Sequence, residues 1–217
     1  MRIGDSLTDA APNWPCVVYK LGGSLLDLPD LAERLRRVWR LNPNSHVLLV
    51  VGGGDAVEAV RRWDDVFHLS DAAAHWLAID ALDLSASLLE RLVPELRLVR
   101  SLGQMRAAHS EGRPALLCVK CFVKWLQTQP DALPHSWDVT SDSIAAAVAR
   151  AWRAEELVLL KSRELPDAAS EDMMRGLVSA GAVDPYFARA AKGVEQIRWI
   201  NLRSDLSVLR IVRSAVR

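Results

Sequence analysis

Six short apolar runs recur along the chain, separated by longer stretches in which apolar and polar positions mix. The runs lie at 16–21, 46–51, 96–100, 115–119, 156–161 and 196–202. They read as strands, and the first four are continuous rather than alternating, as expected of strands covered on both faces. The stretches between them carry helical spacing. Leu31, Leu35 and Val38 give it over 29–40, with Pro29 near the start and LNPNS at 41–45 as the stop. A second helix is predicted from Asp55, a candidate N-cap, through Ala56, Val57 and Val60. The third and longest runs from Asp71 to Val93, with Ala73, Leu77, Ala81, Leu84 and Leu88 as its predicted buried stripe. A fourth, alanine-rich helix spans 142–152, and 103–114 reads as a short helix followed by a turn. Strands alternating with helices predict an α/β fold with a largely parallel sheet.

The segment PDALPHSW, 130–137, has the proline and polar punctuation of a loop. It is predicted to divide an N-terminal lobe, 1–135, from a smaller C-terminal lobe, 136–217. Composition removes several function classes. The 217 residues carry 27 Lys and Arg against 27 Asp and Glu, so no global charge favours nucleic acid. An arginine-rich stretch from Arg198 to Arg217 is the one feature in its favour. No run approaches 18 uninterrupted apolar residues, so no membrane span is expected. The opening MRIGDSLTDAAPNWP lacks the apolar region of a signal peptide and reads as a loose or docking arm. Three cysteines, an odd count with two inside apolar runs, fit a reducing, cytoplasmic setting. The eight tryptophans are scattered singly, as core fillers are.

Candidate chemistry sits at the ends of the first two strands. VVYKLGGS, 17–24, places Lys20 two positions before Gly22 and Gly23. VLLVVGGGDA, 47–56, ends its run on Gly52, Gly53 and Gly54. Glycine turns let backbone N–H groups approach an anion closely, and a helix N-terminus adds its own attraction. Two such turns on neighbouring strands would frame a phosphate-sized crevice with Lys20 at its edge. Ser24 could cap the next element. A plain turn with a solvated lysine accounts for the first motif equally well. The GxxxxGK[ST] spacing of a P-loop is absent. In SWDVTSDSIAAAVA, 136–149, Asp142 lies near a helix start, where it could cap the helix or hold lysines in register. Cys118 and Cys121 have CxxC spacing but no second ligand pair, so they read as core cysteines; Asp64, Asp65 and His68 read as an exposed helix end. No metal-ligand set is expected.

KLGGS, then VVGGG, then TSDSIAAAVA before a late apolar strand together resemble the amino acid kinase family, over roughly 14–202 in this chain. The resemblance implies a three-layer αβα sandwich and an ATP-dependent kinase using Mg2+, with a small phosphate- or carboxylate-bearing metabolite as acceptor. It implies that Lys20 contacts the transferring phosphate, that Gly22, Gly23, Ser24, Gly52, Gly53 and Gly54 cradle phosphate and substrate, and that Asp142 organises the catalytic lysines. The acceptor would lie on the N-terminal lobe and ATP on the C-terminal one. Relatives usually assemble through long helices, so a homo-oligomer is implied. DAAAHWLAIDALD, 71–83, is similar to short members linked to methanofuran and tetrahydromethanopterin biosynthesis, among them the kinase acting on aminomethyl-furanyl-methyl phosphate. On this helix His75 and Asp80, with Trp76 nearby, become candidate acceptor contacts, since carboxylates and an aromatic face hold an ammonium group. One departure stands out. LVLLKSRELPD, 157–167, replaces the family's nucleotide-contacting stretch, and its later lysine-bearing glycine segment is missing. Lys161 is the first candidate for the second cation and Lys192 the fallback. The alternative function is a non-catalytic relative that binds a phosphorylated ligand or a partner protein.

Overall fold

In a computed structural model, residues 16–43, 45–166, 173–204 and 210–212 are described. The N-terminal arm and most side chains of the arginine-rich end lie outside them. Strands β1 (Cys16–Leu21), β2 (His46–Val51) and β5 (Glu156–Lys161) fall on the expected residues, while β3 (Arg97–Val99), β4 (Ala115–Leu117) and β6 (Ile197–Asn201) are shorter than the runs that announced them. A seventh strand, β7 (Arg210–Val212), pairs antiparallel to β6. The sheet order is β3-β4-β2-β1-β5-β6-β7, and the first six strands are parallel.

Both faces of the sheet are covered, so the chain is a three-layer αβα sandwich. Side chains alternate along each strand. On one face Val18, Leu48, Val50, Leu157 and Leu159 pack with α4 (Leu102–Ser110), α5 (Val119–Leu126), α6 (Ser141–Ala151) and α8 (Phe187–Ala190). On the other, Tyr19, Leu21, Leu49, Val51, Val158 and Leu160 pack with α1 (Leu31–Trp39) and the second half of α3 (Asp71–Leu92). The alanines 145–147 and 149 are almost fully buried. Small side chains there let α6 lie close on the strands.

Two expectations are corrected. The helix after the second glycine turn, α2 (Gly54–Phe67), starts one residue earlier than expected, so Gly53 is its N-cap and Asp55 lies in its first turn. The buried stripe of α3 is Ala74, His75, Ile79, Ala81, Leu82, Ser85, Ala86 and Leu89; Ala81 alone of the expected set belongs to it. Leu77, Leu84, Leu88 and Leu92 are exposed instead. This helix is apolar on nearly every face, so spacing alone cannot choose the inner one. Among the described residues it is also the one helix long and apolar enough, by length and composition, to cross a membrane. Here it packs against α2 and the sheet.

Candidate active site

β1 is the point where the chain's strand order reverses. From it the chain builds outward through β2, then later returns to add β5 and β6 on the other side. Crevices at the carboxyl ends of such strands are the habitual ligand sites of open α/β sheets. Both glycine turns are there. Gly22 N donates to Leu160 O at 2.9 Å and Gly52 N to Leu21 O at 2.8 Å, which fixes each turn to the neighbouring strand. The turns also touch each other. A Cβ on Gly23 would stand 2.1 Å from Gly54 N, and Gly54 itself has φ +52°. Close packing of turn on turn therefore demands glycine at both positions. Ser24 donates from its hydroxyl to Ser162 Oγ at 3.0 Å.

Period-two alternation brings the lysines together. Lys20 follows Val18 on the α6 face of β1, and Lys161 follows Leu159 on the same face of β5. Asp142, in the first turn of α6, meets both. Lys20 Nζ lies 2.9 Å from Asp142 Oδ1, and Lys161 Nζ donates to Asp142 Oδ2 at 2.7 Å. All three side chains are largely covered: Lys20 and Asp142 are buried, and the Lys161 side chain is 12% exposed. Two ammonium groups thus share one carboxylate. Burial pushes the Asp142 carboxyl up, but Lys20 and Lys161 outweigh it, and the net shift is below the usual range. Burial, reinforced by Lys20, pulls the Lys161 ammonium down to about 8. Its third neighbour is the carbonyl of Ala182, at 2.8 Å, and the Trp199 ring centroid lies 5.5 Å away. Asp142 does not cap α6, whose N-cap Thr140 makes no side-chain cap bond. Lys192 is exposed. The cations paired with Asp142 are Lys20 and Lys161.

Beside the triad opens a cavity of about 330 Å³, walled by Gly23, Ser24, Gly53 and Gly54 at one end and by α2, α3 and the 136–144 segment around it. Its polar groups are Asp55, Glu58, Arg61, Asp71, His75 and the hydroxyls of Ser136, Thr140 and Ser141; Val57, Ile79, Leu82 and Ile144 supply apolar wall. Arg61 lies over the Trp137 ring at 4.1 Å, and Trp137 Nε1 donates to Asp64 Oδ2 at 2.7 Å. His75 stacks on His135 with ring centroids 4.1 Å apart. Burial, with His135 adding to it, lowers the His75 imidazole to about 4, so it is neutral near pH 7. Its Nε2 is buried without a hydrogen-bond partner.

The expected site residues therefore separate. Lys20, Asp142 and Lys161 converge, the five glycines and Ser24 surround their ends, and His75 faces the cavity. Asp80 does not line it; its carboxylate pairs with Lys120 of α5. Arg61 and Trp137 were not singled out by sequence reading, because neither belongs to a motif and only the fold brings α2 and the 130–137 loop together. Among the remaining candidates, Cys118 Sγ lies 3.1 Å from Cys121 Sγ and 3.3 Å from Asp83 Oδ2. Asp64 caps the end of α2 by accepting from Leu69 N. Among the described residues no group of three or more His, Cys, Asp or Glu is arranged to hold a metal ion.

The chain is similar to known proteins. A family model described as the amino acid kinase family matches residues 15–164. A curated relative, (5-(aminomethyl)furan-3-yl)methyl phosphate kinase of Methanocaldococcus jannaschii, is 26% identical over 143 residues, which are 65% of this chain and 63% of that protein. The match thus spans less than two thirds of that relative's length. Two solved structures have the same fold. UMP kinase from Ureaplasma parvum superposes with a TM-score of 0.61 at 14% identity, covering 88% of this chain and 91% of its own. Uridylate kinase from Archaeoglobus fulgidus gives 0.58 at 18% identity, covering 85% and 88%.

Proposed function

The chain belongs to the amino acid kinase family, and on that premise we propose that it is an ATP-dependent small-molecule kinase whose reacting phosphate meets Lys20 and Lys161. One observation carries the reading: two buried lysines share a single carboxylate at the carboxyl ends of β1 and β5, beside the glycine turns. Phosphoryl transfer needs positioning and charge neutralisation more than covalent help. Lys20 and Lys161 supply the positive charge, Asp142 fixes their spacing, and backbone N–H groups of the turns orient phosphate oxygens. The chemistry of this donor set fits a polyphosphate. Bound Mg2+ would neutralise nucleotide phosphates without a dedicated protein cage.

The division of labour follows the sheet. The cavity on the β2 and α3 side, with the 136–144 segment as one wall, would receive the acceptor, and the β5–β6 side the nucleotide. The acceptor we favour is an aminomethylfuran phosphate. The relative's name supports it, as does the cavity itself: Asp55, Glu58 and Asp71 suit an ammonium group, Trp137 and Ile79 a flat apolar ring, and Arg61 a phosphate. His75, neutral and unpaired, would add a hydrogen bond to it. A homo-oligomer and a cytoplasmic setting belong to the same proposal; the exposed leucines of α3 support the first and three free cysteines the second.

A second reading, a non-catalytic binder of phosphorylated ligands, is favoured by the stretch LVLLKSRELPD, 157–167, which departs from the family's nucleotide-contacting pattern; the described helices after it are α7 (Met173–Ser179) and α8. Calorimetric titration with ATP-Mg separates the two. Micromolar binding that weakens in Lys161→Met supports the kinase, and no heat of binding at millimolar ATP removes it.

A further inference from the structure

Asp184 lies far from every motif in the sequence, yet it is one of the few buried carboxylates, 6% exposed. Its oxygens receive four donors, all from the start of α6. Oδ2 accepts from Thr140 N at 3.0 Å, Thr140 Oγ1 at 2.8 Å and Ser143 N at 3.0 Å. Oδ1 accepts from the Ser143 hydroxyl. The cap that Thr140 does not provide is therefore supplied from another part of the chain. A carboxylate there also opposes the positive end of the helix dipole.

The residues around Asp184 reach the other half of the triad. Ala182 O accepts from Lys161 Nζ at 2.8 Å, and Gly181 O accepts from Arg163 just beyond β5. Tyr186 N donates to Asp138 O at 3.1 Å. A single segment, 181–186, thus grips the end of β5 and the start of α6 together. Asp142 sits between two of its anchors, Thr140 and Ser143.

We propose that Asp184 is a positioning residue for the Lys20–Asp142–Lys161 triad, holding Asp142 at its place on α6 from the same segment whose Ala182 carbonyl holds Lys161. The turnover part of this inference rests on the kinase reading; the structural and electrostatic part does not. Three charged groups face Lys161: Lys20 from β1, Asp142 from α6 and Asp184 from the 181–186 segment, with the neutral Trp199 ring of β6 beside them. Lys20 and burial disfavour the ammonium form, and both carboxylates favour it.

Lysine Cε–Nζ correlation NMR across pH on the full chain tests this without any substrate. In the wild type the Lys161 midpoint is expected below its ordinary 10.5, at about 8. Asp184→Asn keeps an acceptor for the α6 N–H groups but removes the charge, and its Lys161 midpoint moves to lower pH. Ser143→Ala removes one capping hydroxyl and keeps the charge, so its midpoint stays at the wild-type value. A cap with no electrostatic role would leave the midpoint unmoved in both, which would overturn the inference. Where turnover is measurable, Asp184→Asn lowers kcat by about 10- to 100-fold with the acceptor KM within about twofold, as misplacement of a reacting group does. An unchanged kcat also overturns it. If Asp184→Asn does not fold, amide exchange on the wild type decides: Thr140 and Ser143 N–H groups protected as well as the interior of α6 support the latch, and fast exchange at both refutes it.

Discussion

Lys161 Nζ donates to Asp142 Oδ2 at 2.7 Å, closing a buried bridge between the end of β5 and the start of α6. Lys20 faces the other oxygen, so removing the carboxylate and removing a lysine are unequal changes. Asp142→Asn leaves two buried ammonium groups uncompensated and is expected to cost about 3–5 kcal/mol in urea unfolding. Lys20→Met leaves the Asp142–Lys161 pair intact and relieves its repulsion, so its cost stays within about 1 kcal/mol. Equal costs would show that the carboxylate is not shared.

The same bridge sets a pH dependence. Lys161 titrates near 8 rather than its ordinary 10.5 because burial and Lys20 disfavour its charge. Between those values the unfolded chain holds the extra proton, so folding stability contributed by this group rises with pH through that window. Activity runs the other way. As pH rises through about 8 the ammonium that meets the phosphate is lost, and kcat/KM is expected to fall. Arginine stays charged throughout, so an active Lys161→Arg should lack this limb; a limb that persists there belongs to another group.

Contact between the glycine turns gives a test that needs no substrate. Gly23→Ala drives a Cβ into Gly54 N, whereas a Cβ on Gly103, within α4, would meet only Ser101 Oγ, at an ordinary contact distance of 4.0 Å. Gly103→Ala should stabilise the protein by about 0.4–1 kcal/mol. Gly23→Ala should lower the melting temperature markedly and disturb the cavity mouth. Similar melting temperatures for the two variants would mean that the turns do not pack as described.

Exposed apolar side chains on α3 bear on assembly. Leu77, Leu84, Leu88 and Leu92 are 38–64% exposed, with Leu84 the most open. Leu84→Asp with Leu88→Asp should convert the expected homo-oligomer to a monomer in light scattering, with the melting temperature of the monomer unchanged. A wild-type chain that is already monomeric at micromolar concentration would contradict the oligomer.

Much of this was legible in residue order. Apolar runs located β1, β2 and β5 to the residue, because strands buried on both faces stay apolar along most of their length. Lys20 and Asp142 were marked by motifs that local geometry requires, a glycine turn and a helix start. Which face of α3 points inward was not legible, since leucines and alanines occupy nearly every side of it. Asp184 was invisible for a different reason. Its partners, Thr140 and Ser143, are brought to it by the return of the chain after β5, and no local spacing encodes that meeting. Arg61 and Trp137 likewise pair across two separate elements.

Phosphorus NMR of the purified chain with ATP-Mg and (5-(aminomethyl)furan-3-yl)methyl phosphate tests the central claim most directly. ADP should form in step with a new diphosphate signal on the acceptor, and Lys20→Met should slow both by about 10²–10³-fold, the loss expected when a group stabilising transition-state charge is removed. Turnover in Lys20→Met equal to wild type would contradict the account, as would a folded, ATP-binding wild-type chain that forms no ADP with this acceptor or with any small phosphate or carboxylate offered in its place.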